Sequence, residues 1–357
     1  MSGPASILTC KHRLYEGLQA IAEASPEKLK ASIGNLYHPQ VHWRGAHPLN
    51  EMRGIDTLVE TVWLPLKRSF PDLERRDTIL IGGSYEGRDY VATVGQYCGT
   101  FREPWLTIPA TGRPVYIRYG EVHQVEDGRI VQSNCLWDIL DVMRQAGFWP
   151  LAPSLGTEGM WPGPLTADGI VLTETDAAQS ASSIAQTLGM HQALGAYGDN
   201  AVDKRQGLLN MPQKSYWHEK MMWYGPSGIG TTRGLQGFVD YHQLPFREAF
   251  KRPVGTLEEV HAIRQAHGAG HYVRIGDGPY SVTGGWPSVY AIHDGGGFLG
   301  LGPTGRPVTM RVMDFYLHHE GLIRENWVPL DILDLLKQMD IDVFDRMRSF
   351  FDHRPFR

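Results

Sequence analysis

The sequence is poor in cysteine, in positive charge and in long apolar runs, and each shortage argues against a class of protein. The three cysteines, Cys10, Cys98 and Cys135, form neither a zinc-type spacing nor an even disulfide framework. A net charge of −5 without any Lys/Arg cluster argues against nucleic acid as a partner. No apolar run approaches the ~20 residues that span a bilayer, and the amino terminus lacks the features of a secretory signal. We therefore expect a cytoplasmic protein without membrane or nucleic-acid partners.

What the sequence does contain is a repeat. The motif Thr-Gly-Arg-Pro-Val stands at 111–115 and 304–308, and Asp-Ile-Leu-Asp at 138–141 and 331–334, so that both pairs are 193 residues apart. Earlier matches, such as Trp43 with Trp223, are 180 residues apart. The second copy therefore carries a net insertion of about 13 residues near 251–303. Two motifs at one constant offset indicate a duplication.

The repeat sets the expected domain organisation. We predict a first domain at 1–150, a linker rich in Pro, Gly, Ser and Thr at 151–178, and a second domain at 179–357. In each copy, segments with helical periodicity precede segments with strand periodicity and a short last helix, which favours the α+β class. The expected architecture is a curved antiparallel sheet wrapped over N-terminal helices, a cone with an open mouth, present twice in tandem.

Several stretches carry a resemblance to a known family. They are Tyr37-His38-Pro39, Arg53-Gly54-Ile55, Phe70-Pro71-Asp72, Asp127-Gly128-Arg129 leading to Trp137-Asp138-Ile139-Leu140-Asp141, and in copy two Thr304-Gly305-Arg306-Pro307 leading to Asp331-Ile332-Leu333-Asp334. With these features the sequence resembles the SnoaL-like polyketide cyclases of the nuclear transport factor 2-like superfamily, duplicated in tandem. The resemblance implies that the two cones form an intramolecular pseudo-dimer, and it leaves room for a homo-oligomer of the two-domain chain.

The resemblance also implies a function. It implies an enzyme without metal or cofactor that applies acid/base chemistry of the cyclase or isomerase type to a small carbonyl-containing substrate. The acid/base aspartate of the family would correspond to Asp138 and Asp331, and its histidine on the preceding strand to His123, which Tyr316 replaces in copy two. Two other functions stay open: a non-catalytic small-molecule-binding or scaffolding protein, and a hydrolase with an Asp-activated water.

Strand alternation singles out a second pair of carboxylates. Side chains two residues apart share a face of a strand, so Glu121 lies on the face of His123, and Asp314 lies on that of Tyr316. Each acidic residue is flanked by apolar residues on that face. If the face is the interior of the cone, desolvation raises the carboxyl pKa into a range useful for proton transfer. The alternative is a structural ion pair with a nearby arginine.

The remaining candidates each have a structural alternative. Asp138 and Asp331 can be helix N-caps as well as catalytic groups. His38 and His218, which match between the copies, can be general bases or capping residues. The residues expected to line a pocket, besides the two carboxylates and Tyr316, are Trp43, Trp223, Trp327, Asn134 and Trp286. The run Gly295–Gly300 fits a dinucleotide fingerprint by letter but precedes a strand, so we reject it.

Overall fold

The computed structural model describes residues 6–195, 203–253 and 256–352; the outer ends of the two predicted domains and part of the insertion lie outside these ranges. The chain forms two compact units. The first consists of residues 1–150, 162–174 and 341–357, and the second of residues 151–161 and 175–340. The stretch predicted to be a linker is therefore shared between the units. None of the described helices has the length and apolar character needed to cross a bilayer.

The first unit contains helices followed by a six-stranded sheet. Its helices are α1 (Ile7–Glu23), α2 (Pro26–Leu36), α3 (Ile55–Leu58), α4 (Leu64–Ser69) and α5 (Ile139–Gln145). Its strands are β1 (Tyr37–Gly45), β2 (Glu51–Arg53), β3 (Glu74–Tyr85), β4 (Arg88–Thr100), β5 (Pro114–Glu126) and β6 (Arg129–Trp137), in the order β2-β1-β6-β5-β4-β3. The α+β class expected from the sequence is confirmed.

One pairing departs from the expected antiparallel sheet. Strand β1 runs parallel to β6, with Trp43 opposite Ser133. The parallel pairing arises because β1, which enters the sheet directly after α2, lies beside the last strand of the unit and not beside its successor in the chain. The other pairings are antiparallel. The sheet is therefore mixed, with β1 and β2 at one edge.

The second unit repeats this plan with additions. Its helices are α6 (Ala177–Gly195), α7 (Lys204–Leu209), α8 (Gly234–Phe238), α9 (Leu244–Ala249), α10 (Leu257–Ala266) and α11 (Ile332–Gln338). Its strands are β7 (Trp217–Tyr224), β8 (Thr232–Arg233), β9 (Phe250–Lys251), β10 (Val273–Asp277), β11 (Tyr280–His293), β12 (Arg306–His319) and β13 (Leu322–Trp327). The sheet order is β10-β11-β12-β13-β7-β8, with β9 on β11. The predicted insertion contains β9 and α10.

A π-helical turn occurs at the same point of both copies. It joins α3 to α4 at Val59–Trp63 and α8 to α9 at Val239–Gln243. Turns of this kind are rare and are often found at functional sites. In both units the turn lies beside a β-strand tryptophan of the interior: Trp63 is near Trp137, and His242 stacks on Trp223 with ring centroids 4.0 Å apart. The helices of each cone therefore direct aromatic groups towards the sheet.

Each unit also includes residues from beyond its main block of chain. In the first unit Ile170 pairs with Leu80 of β3, and helix α12 (Val343–Asp352) brings Phe350 to within 5.2 Å of Phe148, measured between ring centroids. In the second unit Thr157 pairs with Thr231. Neither unit is thus a single contiguous piece of the chain.

Candidate active site

The two carboxylates on the central strands occupy equivalent positions. Glu121 on β5 lies opposite Thr93 of β4, and Asp314 on β12 lies opposite Thr283 of β11. Directly opposite residues in an antiparallel pair share a face. Each carboxylate therefore shares the inner face of its sheet with one threonine hydroxyl. The surroundings of the two pairs differ completely.

In the first unit an arginine occupies the interior. The guanidinium of Arg75 donates hydrogen bonds to the Thr93 hydroxyl (2.7 Å), the Tyr97 hydroxyl (2.6 Å) and Glu121 Oε2 (2.8 Å). Trp137 Nε1 donates to Glu121 Oε1 at 2.8 Å. Burial would raise the pKa of Glu121, but Arg75, with smaller contributions from His123 and Trp137, lowers it to about 2. Glu121 is therefore a permanently ionised structural group, which is the ion-pair alternative stated above.

Aromatic side chains fill the rest of this interior. The rings of Trp43, Trp63 and Tyr97 all lie within 6.2 Å of Trp137, measured between centroids, and each of these residues is no more than 4% exposed. His123 is fully buried, with Nδ1 2.8 Å from the Ser133 hydroxyl and Nε2 3.4 Å from Glu121. No side chain of this network is open to a substrate.

In the second unit smaller residues stand where the first has large ones. The repeat and the strand register put Val289 in place of Tyr97, Val312 in place of Tyr119, and Leu330 in place of Trp137. The segment equivalent to Arg75 is replaced by the insertion. Among the described residues, no lysine or arginine forms an ion pair with Asp314. In the described part of the second unit, Asp314 thus has neither counterparts of Tyr97, Tyr119 and Trp137 beside it nor a cation paired with it.

Asp314 has the properties of a titratable catalytic group. Burial raises its pKa to about 7, although hydrogen bonds with Asn326 and Tyr316 act in the opposite direction. The residue as a whole is nevertheless intermediate in exposure. Asp314 therefore combines a strongly desolvated carboxyl with incomplete burial of the residue. The prediction of a raised pKa on this face is confirmed for Asp314 and wrong for Glu121, because only the first unit supplies a cation.

A chain of polar side chains extends from Asp314. The Tyr316 hydroxyl lies 2.8 Å from His191 Nε2, and the rings of His191 and His271 have centroids 5.5 Å apart. Burial lowers the pKa of His191 to about 4; burial, with the neighbouring His191 and Arg274, lowers that of His271 to about 3. Both imidazoles are therefore neutral near pH 7. Like Asp314, both remain partly accessible.

Thr283 Oγ1 and His271 Nδ1 are among the buried polar atoms that make no hydrogen bond within the described part of the chain. Buried polar atoms normally have a partner, so these two atoms are candidates for contact with a ligand. His191, His271 and Thr283 were not among the sequence candidates. His191 lies on α6 and His271 in the insertion, where the copies share no motif; the Thr93/Thr283 match, which depends on the strand register, was the available signal.

The family's expected aspartates have a structural environment. Asp138 and Asp331 each accept a hydrogen bond from the backbone N–H three residues later, and so cap α5 and α11. Each also pairs with an arginine: Arg118 lies 2.7 Å from Asp138, and Arg311 lies 3.1 Å from Asp331. A capped helix and a fixed cation account for both residues, so the geometry favours the structural role over catalysis.

The two matched histidines and two of the matched tryptophans predicted for the site lie in different environments. His38 is exposed, and its Nδ1 accepts from the backbone N–H of Gln40. His218, with Glu320 3.4 Å away, lines a separate surface cavity of about 590 Å³ beside Trp217. Trp43 and Trp223 do lie inside their cones, as shown by their contacts with Trp137 and His242.

Three predicted pocket residues lie elsewhere. Asn134 pairs with Val122 and Trp327 with Phe315, so both lie on the face of the sheet opposite to that of the carboxylates. The expectation that they line the pocket therefore does not match their register. Trp286 lies in the bulge of β11, and its ring is under the guanidinium of Arg311 at 5.0 Å. In the described residues, no group of three His, Cys, Asp or Glu side chains is arranged to hold a metal ion.

Helices packed against a bent sheet, with polar groups on its inner face, give each unit the α+β architecture expected from the sequence. Residues 15–146 match the model of the SnoaL-like polyketide cyclase family. The match lies within the first unit, whose order of elements the second unit repeats. No curated protein matches the chain significantly.

Solved structures to which the chain is similar include two named as polyketide cyclases. A putative SnoaL-like polyketide cyclase from Jannaschia sp. CCS1 is 18% identical, covers 42% of this chain and 100% of its own, and has a TM-score of 0.35. IdmH, a putative polyketide cyclase from Streptomyces antibioticus, is 20% identical, covers 39% and 99%, and has a TM-score of 0.33. AclR, a putative hydroxylase from Streptomyces galilaeus, is 18% identical, covers 42% and 87%, and has a TM-score of 0.34.

Proposed function

We propose that the second unit carries out acid/base chemistry of the cyclase or isomerase type on a small carbonyl compound, with Asp314 as the group that moves the proton. The observation that carries the proposal is the state of Asp314: a carboxyl with a pKa of about 7, in a residue of intermediate exposure on the inner face of the sheet, with no cationic partner among the described residues. A general base is most effective when its pKa lies near the working pH. The match of the first unit to a polyketide cyclase family supports the same class of reaction.

The reaction needs only proton transfers. The Asp314 carboxylate removes a proton from the carbon next to the substrate's carbonyl group, which leaves an enolate and a neutral carboxylic acid. The enolate carbon then attacks a second carbonyl carbon or takes a proton at another position. Asp314 returns its proton to the product, so the enzyme ends as it began. The hydrogen bonds with Tyr316 and Asn326 hold the carboxyl in one orientation during both transfers.

In this proposal the first unit has no catalytic role. Its equivalent carboxylate is held by Arg75 with a pKa of about 2, which is too weak a base for proton abstraction near pH 7. The aromatic filling around Trp137 also excludes a substrate. Of the two equivalent carboxyls, only Asp314 therefore has a pKa suited to the reaction and no cationic partner among the described residues.

The test is α-proton exchange on a simple ketone. The protein is mixed with 2-tetralone in deuterated buffer, and loss of the α-proton signal is followed by NMR. We expect exchange by the wild-type protein, and a loss of about 100-fold or more in Asp314→Asn, since general acid–base groups contribute roughly 10²–10⁴-fold. The matched variant Glu121→Gln, assayed below its unfolding temperature, should keep the activity. Equal rates in the wild type and Asp314→Asn would refute the proposal.

A further inference from the structure

We propose that Thr283 and His271 form the subsite that holds the substrate's carbonyl oxygen, so that the substrate class is an uncharged ketone or enol bound oxygen-first beside Asp314. The inference deepens the proposed function and rests on it for the chemical step. Its structural basis is independent: Thr283 Oγ1 and His271 Nδ1 are two of the buried polar atoms of the second unit that find no hydrogen-bond partner among the described residues.

The first half of the argument concerns Thr283. Its counterpart in the first unit, Thr93, uses its hydroxyl to accept a hydrogen bond from Arg75. In the described part of the second unit no arginine takes the equivalent place, and the fully buried Thr283 Oγ1 has no hydrogen-bond partner there. A threonine hydroxyl that accepts no hydrogen bond from a cation can rotate and donate a hydrogen bond to another acceptor. The duplication has thus converted an acceptor into a free donor directly opposite Asp314.

The second half concerns His271. His271 lies beside His191, and His191 Nε2 is hydrogen-bonded to the Tyr316 hydroxyl. His271 Nδ1, in contrast, has no hydrogen-bond partner among the described residues. With a pKa of about 3 the ring is neutral near pH 7, so it can donate one hydrogen bond without carrying a charge. A neutral imidazole that donates to a developing enolate oxygen is a known catalytic device. Arg274, which contributes to the lowered pKa values of both histidines, is exposed.

These groups assign a role to each atom of the substrate's reacting end. The α-carbon gives its proton to the Asp314 carboxylate, and the electron pair of the broken C–H bond forms the C=C bond of the enolate. The carbonyl oxygen gains the charge and accepts hydrogen bonds from Thr283 Oγ1 and His271 Nδ1. No proton leaves either donor, so both are regenerated unchanged when Asp314 returns its proton.

The test uses 2-naphthol as a probe, because a phenol places one oxygen on a flat ring as an enol does. Binding is followed by quenching of tryptophan fluorescence, which requires no turnover. We expect Thr283→Val and His271→Phe each to weaken binding by about tenfold, the value of a hydrogen bond near the upper end of the usual range. Thr283→Ser, which keeps the hydroxyl, should bind as the wild type does. Asp314→Asn should still bind the probe.

Matched controls come from the chain itself. Thr93→Val removes the equivalent hydroxyl from the filled first unit, and His267→Phe changes an exposed imidazole of the same insertion, which stacks on Tyr290. Neither should change naphthol binding. Binding within twofold of wild type in both Thr283→Val and His271→Phe would overturn the inference, as would equal losses in Thr93→Val. If the protein does not catalyse α-proton exchange but 2-naphthol binding depends on Thr283 and His271, the proposed reaction is refuted and the oxygen-binding subsite is supported.

Discussion

The equivalent carboxylates Glu121 and Asp314 should respond to neutralisation with opposite signs. The folded-state pKa of Asp314 is about 7, above the ordinary value of 3.8, so the folded protein binds more protons than the unfolded chain between these values. Its contribution to stability is therefore fullest below pH 4 and is lost as the pH rises to 7. Asp314→Asn removes the need to bury a charge, and should stabilise the protein more at high pH.

The magnitude follows from the shift. About three pKa units correspond to roughly 4 kcal/mol at 1.36 kcal/mol per unit, an upper bound because Asp314 keeps some solvent contact. The part that develops between about pH 5 and about pH 8 is roughly 2–3 kcal/mol. Glu121 has its pKa lowered to about 2, so its stabilisation is present above pH 4.5 and is lost as the pH falls towards 2. Glu121→Gln should cost about 3–5 kcal/mol near neutral pH, since Arg75 loses its buried partner.

The assay is urea unfolding of the wild type and both variants near pH 5 and near pH 8. Taking each variant's difference from the wild type cancels the contribution of the buried histidines, which take up protons in this range only when the chain unfolds. The reasoning is refuted if the advantage of Asp314→Asn over wild type is the same at both pH values, or if Glu121→Gln is as stable as the wild type near pH 8.

Three further predictions follow from the site. The rate of α-proton exchange should rise about tenfold per pH unit up to about pH 7 and then level off, because the base form of Asp314 is the active one; a rate independent of pH from 5 to 8 would count against it. Asp331→Ser keeps an N-capping side chain, so the variant should keep its activity within about threefold and lose about 1 kcal/mol of stability. A folded variant without activity would show instead that Asp331 is a catalytic group. Leu330→Trp copies Trp137 of the first unit; it should abolish 2-naphthol binding without changing a polar group, and undiminished binding would show that the interior is not the site.

Much of the fold could be read from the sequence because its signals are local. The alternation of Glu121 and His123, and the capping pattern at Asp138, depend on residues a few positions apart. The repeat then transferred both to the second copy without any structural knowledge. The parallel pairing of β1 with β6 could not be read in this way, since it joins residues about 90 positions apart and leaves no periodic trace.

The difference between the interiors of the two units was the feature hardest to predict from the sequence. It depends on Arg75, whose counterpart is lost within the insertion, and on His191 and His271, which come from segments that the copies do not share. A motif repeated in both halves is retained for the fold that both need. The chemistry depends on what one half has and the other lacks, so searching among the shared residues led to the helix caps at Asp138 and Asp331.

The interleaved composition of the two units has a consequence for taking the protein apart. A cut after residue 150 would leave the first unit without Ile170 on the edge of β3 and without the helix that covers Phe148. A cut after residue 174 would deprive the second unit of Thr157 and its pairing with Thr231. No single scission yields two complete halves. The second unit has therefore to be studied together with the first. An ancestor whose halves could be separated would have needed a different chain path between them.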